Sequence, residues 1–223
     1  MIRRAATLAL ILAATPALAA GDPLEPVNRH VHAFNLLAQR HLLGPMARAY
    51  AGWTPAPVRE GVANALANLG EPITAASALL AGDVMLAAQA VARFGINTTL
   101  GYGGMRDTAA EMGYPPVRIG VADALCRWGV PSGPYLVLPL LGPSTLRDAG
   151  GMIATSLALS HAIGGDTVLA WSAATSWTEY AALHPALMRI ETQALDLYAT
   201  HRSLYRQRRA ASCGNDPMED TPQ

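Results

Sequence analysis

WGVPSGPYLVLPLLGPSTL, Trp128 to Leu146, is nineteen residues without a charge. Length and apolarity alone would nominate it as a membrane-crossing helix. Its four prolines (Pro131, Pro134, Pro139, Pro143) and three glycines (Gly129, Gly133, Gly142) forbid one, because each proline removes an N–H donor and clashes with the preceding turn. Backbone of this kind is not stable in bare hydrocarbon. It must be satisfied by other protein groups or line a wet cavity. Only Tyr135 to Leu138 reads as a short strand.

The charge deficit extends outward from this segment. From Trp128 to Thr178 the only charges are Arg147, Asp148 and Asp166. Over the whole chain 14% of residues are charged and 51% hydrophobic, against about 25% charged in ordinary soluble proteins. A water-exposed domain needs more charge to cover its surface; a lipid-facing one does not. Ala149 to Ile163 and Thr167 to Trp177 read as two apolar helical segments split by Gly164-Gly165-Asp166. At about 22 and 16 Å neither spans a roughly 30 Å hydrocarbon core comfortably, so a partly inserted hairpin is expected.

Elsewhere apolar residues recur at helical spacing, and the class is all-α. Asp22-Pro23-Leu24-Glu25 opens a helix with the stripe Val27, Val31, Phe34, Ala38 and Leu42, which Gly44-Pro45 is expected to end. Thr54-Pro55 opens the next, with Val58, Val62, Leu66 and Leu69, to be stopped by Gly70 and Pro72. Asp83 caps another bearing Val84, Ala87, Val91 and Phe94. A last amphipathic helix is expected from Pro185 to about Arg209.

The N-terminus reads as an export signal. Arg3 and Arg4 precede a short apolar run, and Ala17-Leu18-Ala19 supplies the cleavage site. The expected organisation is a removed segment 1–19, one helical domain 20–211 and an acidic tail 212–223. Sixteen basic residues balance sixteen acidic ones, and loss of Arg3 and Arg4 leaves an acidic excess, so nucleic acid is a poor partner. Cys126 and Cys213 can pair in an oxidising compartment, but Cys126 reads as a small buried apolar residue and Cys213 as part of a polar tail. His30 and His32 lie two apart on a helix and read as surface residues, not metal ligands. Ser144 stands in Gly-Pro-Ser-Thr, outside any nucleophile-elbow pattern. There is no phosphate-binding loop or zinc motif either. No cofactor and no catalytic residue is implied.

Taken in order, the short motifs resemble one family. They run Asp22-Pro23-Leu24-Glu25, Asn28-Arg29, Phe34-Asn35, Pro57-Val58-Arg59, Asn68-Leu69, Glu71-Pro72, Arg93-Phe94, Asn97-Thr98-Thr99, Gly101, Gly104 and Asp107. They continue through Trp128-Gly129-Val130, Gly133 to Pro139, Gly142 to Thr145 and Arg147-Asp148, to Asp196, Tyr198, Arg202, Tyr205, Gln207 and Arg208. This pattern resembles the MlaA (VacJ) family of outer-membrane phospholipid-transport proteins. The resemblance implies a ring of short helices in the periplasmic leaflet of the outer membrane, around a central channel. It implies removal of misplaced outer-leaflet phospholipid, delivery to a soluble periplasmic carrier, and association with a trimeric porin. Family members carry a lipobox cysteine at the cleavage point; here Ala19-Ala20-Gly21 stands there, and ordinary cleavage without a lipid anchor is expected. The rival reading is a soluble periplasmic lipid-binding or scaffold protein; a lipid hydrolase is a weaker one.

Three groups of site residues follow. Gly133, Pro134, Tyr135, Leu136, Val137, Leu138 and Pro139 are candidates for a channel wall or gate, with the Tyr135 hydroxyl reaching an interface; a rigid structural loop is the competing reading. Arg147 and Asp148 are expected to face the lipid path, since charges amid apolar sequence usually face a cavity or each other; the competing reading is a helix-start ion pair. Phe34 is expected in the core, and Asn35 is expected to stabilise the ring.

Overall fold

The computed structural model describes residues 22–213, so the expected signal segment and nearly all of the expected tail lie outside the described residues. Helices carry the chain, but several run through the prolines and glycines expected to end them. α1 (Glu25–Ala38) does not stop at Gly44-Pro45. It continues through a π-helical turn, Gln39–Leu43, into α2 (Gly44–Trp53). Pro45 falls in the first turn of α2, where its missing N–H is tolerated, and the wider π turn absorbs the change in register.

α3 (Ala56–Leu80) likewise passes through Pro72. A proline inside a helix costs about 3 kcal/mol, and the long packing of α3 along α4 (Val84–Thr99) offsets it. Asp83 caps α4 as expected, its Oδ1 accepting the Leu86 N–H at 3.0 Å. α5 (Thr108–Glu111) and α6 (Val121–Arg127) are short. The proline-rich segment then forms a hairpin, β1 (Tyr135–Leu138) antiparallel to β2 (Gly142–Thr145), with Tyr135 opposite Thr145 and Leu138 opposite Gly142.

α7 (Leu146–Ile163) and α8 (Gly165–Gln193) are divided at Gly164. α8 runs through Pro185, so the last helix does not begin there. The break falls at Ala194, which is extended, and at Asp196, whose carboxylate accepts the Ala199 N–H (3.1 Å) as an N-cap for α9 (Leu197–Cys213). No helix among the described residues is long and apolar enough to cross a membrane.

Contacts between elements close a circuit: α1 through the π turn to α2, α2 to α8, α8 to α7, α7 to β2, and β1 back to α1. α6 is seated on α7, where a Cβ at Gly151 would lie 2.8 Å from the Ala122 nitrogen, so only glycine permits the approach.

The expected faces are largely reversed, although Ala87 is buried and Val31, Ala38, Leu66 and Phe94 are half-buried. Val27, Phe34, Leu42, Val58, Val62, Leu69, Val84 and Val91 from the expected apolar stripes are exposed, and Phe34 is not core. Buried in their place are Asn28 and His32 on α1, Asn68, Glu71, Thr74 and Ser77 on α3, and Arg93 and Asn97 on α4. His32 is therefore not a surface residue. In water the two sets would exchange places. An exposed apolar face this extensive marks an apolar neighbour.

Candidate functional site

A cluster of buried charge lies between α3 and α4. Arg93 donates from Nε to Glu71 (2.7 Å), from one terminal nitrogen to Asp107 (3.1 Å) and from the other to the Tyr114 carbonyl (2.5 Å). Burial by itself would lower the Arg93 pKa, but the hydrogen bonds to Asp107 and Glu71 outweigh it and hold the value above the ordinary one. Burial pushes Asp107 upward; the bonds it accepts from Arg93, Asn97 and the Ala110 N–H more than reverse this, leaving it below the usual carboxylate range.

Asn97 completes the knot, donating to Asp107 (3.0 Å) and accepting the Ala109 N–H (2.8 Å). Asn68 donates to the Thr98 hydroxyl at 2.9 Å. Gly104, at φ +88, presses on Asn68 so closely that a Cβ would stand 2.8 Å from its side chain. A cavity of about 120 Å³ is left, lined by Asn64, Ala67, Asn68, Glu71, Arg93, Asn97, Asp107, Pro116 and Arg118. Glu71 Oε2 and Asn68 Oδ1 are buried without a hydrogen-bond partner among the described residues.

The hairpin is held from one side by two asparagines seven residues apart on α1. Asn28 donates to the Tyr135 carbonyl and accepts the Val137 N–H, both at 2.9 Å. Asn35 donates to the Leu138 carbonyl (2.9 Å) and accepts the Leu140 N–H (2.7 Å). Their amides do for the open edge of β1 what a third strand would do. Leu140 has a positive φ of 63, an uncommon conformation that the Asn35 bond helps to hold at the exposed tip. Tyr135 does not reach an interface. It is 4% exposed and stacks edge-on with Tyr198 and Tyr205, and burial raises its pKa to about 12. Val137 is buried beside it, while Gly133, Pro134 and Pro139 stay exposed and Leu136 and Leu138 are half-buried.

Arg147 and Asp148 lie in the interior where α6, α7 and α9 meet. Arg147 donates to the Val130 carbonyl (2.7 Å) and to Cys213 Sγ (3.4 Å), with Asp148 at 3.7 Å. Asp148 accepts from the Tyr205 hydroxyl and from Arg209 (2.9 Å), and Arg209 also donates to Asp123 on α6 (2.6 Å). Beside this cluster Cys126 and Cys213 form a disulfide, so Cys126 is not a free apolar residue. The cluster ties the C-terminal helix to the start of α7.

A fourth group joins α1 to α9. His32 Nε2 lies 3.0 Å from His201 Nδ1, with Tyr198 packed edge-on against His32. Burial lowers both histidine pKa values; for His32 the facing His201 and Arg29 lower it further while Asp196 opposes them, and for His201 Glu191 opposes burial. Among the described residues no cluster of His, Cys, Asp and Glu could hold a metal ion.

A family model described as MlaA lipoprotein matches residues 20–212. The chain belongs to the MlaA family. An uncharacterised protein of Rickettsia felis is 38% identical over 139 residues, covering 62% of this chain and 55% of the relative. The intermembrane phospholipid transport system lipoprotein MlaA of Escherichia coli K12 is 39% identical over 140 residues, covering 60% and 55%. The chain thus spans about half the length of these curated relatives. An uncharacterised Rickettsia bellii protein is 34% identical over 197 residues, with 86% and 76% covered. A solved structure on the structural basis for maintenance of bacterial outer membrane lipid asymmetry matches with a TM-score of 0.77 at 31% identity, over 86% of this chain and 99% of that one.

Several MlaA-like motifs converge in the structure: Asn28, Tyr135 and Tyr198 meet at the hairpin, and Glu71, Arg93, Asn97 and Asp107 meet at the cavity. Sequence reading quoted the cavity residues only as fragments of the resemblance. One signal was present: Asn68 and Glu71, and Arg93 and Asn97, stand three and four residues apart and so share one polar face of their helices.

Proposed function

We propose that the chain moves phospholipid between membranes and so maintains outer-membrane lipid asymmetry, without converting the lipid chemically. The inverted distribution of side chains carries this reading. Large apolar residues stand on the outside of a circuit of helices whose contacts close on themselves, while charged and amide side chains share its interior with small apolar ones. Such a body is suited to lie among acyl chains while offering polar surroundings to a headgroup, and the family relatives named for phospholipid transport support it. The chain would sit in the periplasmic leaflet of the outer membrane, take misplaced phospholipid from the outer leaflet, and pass it to a soluble periplasmic carrier beside a trimeric porin. In this reading the hairpin Gly133–Pro139 forms part of the wall of the lipid path. Arg147 and Asp148 position that wall by clamping α9, since their charged groups meet protein partners.

The test is the phospholipid content of the outer leaflet in cells lacking the chain, with and without the wild-type protein restored. Accumulation on loss, reversed on restoration, is expected. An unchanged outer leaflet, or the appearance of deacylated products when the protein is restored, would overturn the reading. Fractionation separates the soluble rival: the chain should stay with membranes until detergent is added.

A further inference from the structure

The cavity between α3 and α4 contains more hydrogen-bond acceptors than the protein itself satisfies. Glu71 and Arg93 are 5% and 4% exposed. Every side-chain nitrogen of Arg93 already has an oxygen partner, in Glu71, Asp107 or Tyr114, so it has little left to offer an anion. Arg118 also lines the cavity, but its charge is matched by Glu179, paired with it at 2.9 Å. Glu71 and Asp107 against Arg93 leave the inner wall with one net negative charge. Its two unpartnered polar atoms, Glu71 Oε2 and Asn68 Oδ1, are both acceptors.

We propose that this cavity binds a primary ammonium group, of the kind carried by an ethanolamine headgroup or a free small amine. A primary ammonium supplies the positive charge and the N–H donors that the wall lacks. A quaternary ammonium supplies the charge but no donor and is bulkier, while a phosphate or a glycerol headgroup brings no cation. The turn that follows α4 carries exposed Leu100, Tyr102 and Met105, and the cavity residue Asn64 donates to its Met105 carbonyl (3.2 Å). Exposed apolar residues on a turn bonded to a polar cavity suit a headgroup whose acyl chains remain in lipid. The inference rests on the phospholipid-transport reading and adds a headgroup preference to it.

The experiment uses the purified full chain in detergent and phospholipids of identical acyl chains. The headgroups are ethanolamine, its mono- and dimethyl forms, choline and glycerol, with free ethanolamine as competitor. Binding is expected to weaken stepwise with methylation. The ethanolamine-to-choline difference should be about tenfold, the value of one charge-assisted hydrogen bond. Glu71→Gln and Asn68→Leu should each flatten the series, with circular dichroism to check folding; the series on the wild-type chain stands even where a variant fails to fold. Strong competition by free ethanolamine, with no preference among the lipids, would assign the site to free amines. Equal binding of all headgroups without competition by ethanolamine overturns the inference and leaves transport intact. Absence of phospholipid binding altogether overturns the transport reading instead.

Discussion

The α3–α4 pair and the α7–α8 pair are both consecutive long helices packed on each other, yet they distribute polarity differently. α3 and α4 bury Asn68, Glu71, Arg93 and Asn97 against each other and fit them with hydrogen bonds. On α7 and α8 the buried polar residues are Arg147, at the start of α7, and His184, late in α8. Ile153, Leu157, Ile163 and Leu169 point outward, and Asp166 is the only formal charge between Ala149 and Thr178. The first pair is specified by directional bonds within the protein. The second presents its large apolar side chains to the surroundings. One pair can therefore hold a polar ligand in a fixed geometry, while the other is suited to fix the depth of the molecule in lipid.

The sharpest way to break this contrast is to remove the centre of the first pair. Arg93→Ala leaves Glu71 and Asp107 buried without their cation and should cost about 3–5 kcal/mol, read as a fall in thermal unfolding temperature in detergent. A near-unchanged transition would show that water, and not Arg93, compensates the carboxylates. Next comes the closure around both pairs. Cys213→Ser frees α9 from α6 and should cost about 2–4 kcal/mol. Trypsin should then cut at Arg206 and Arg208 faster than in the parent, and equal cleavage would show that Arg209, with Asp123 and Asp148, suffices to hold the helix.

The second pair is tested by Leu169→Arg. Leu169 is 70% exposed, and a cation placed there should weaken membrane retention by about 2–3 kcal/mol if the position is off-centre in the bilayer. Flotation indistinguishable from the parent would remove α8 from the lipid. The smallest effect belongs to His32 and His201, which lie outside both pairs. Their folded-state pKa values are lowered, so the unfolded chain binds protons more readily. Stability is complete above about pH 6.5, the ordinary histidine value, and is lost as pH falls through the lowered folded-state values. His201→Gln should flatten that slope in denaturant titrations between neutral and mildly acidic pH, and an unchanged slope would place the titration elsewhere.

Much of the candidate site was legible only as fragments. Glu71 and Asp107 lie 22 and 14 residues from Arg93, distances at which nothing local announces an ion pair. The disulfide joins residues 87 apart, and the local surroundings of each cysteine argued against it. Asn35 could be singled out as a polar residue beside an apolar stripe, but its two bonds depend on where the hairpin lies in space. Pro45, Pro72 and Pro185 were misleading because local propensity overstates a proline's power to end a helix once neighbours pack along it.

Local chemistry determined the helical class, the division at Gly164, the cap at Asp83, the short strand at Tyr135–Leu138 and the charge-poor region beyond it. Each follows from a few adjacent residues, through a missing N–H, a side-chain acceptor at a helix start or an absence of charge. Tertiary structure decided which face of each helix is inside. Periodicity marks a stripe but carries no sign. An apolar stripe can turn inward or outward, and only the packing of Asn28, Asn68, Glu71 and Arg93 against their partners shows which faces of these helices lie inside.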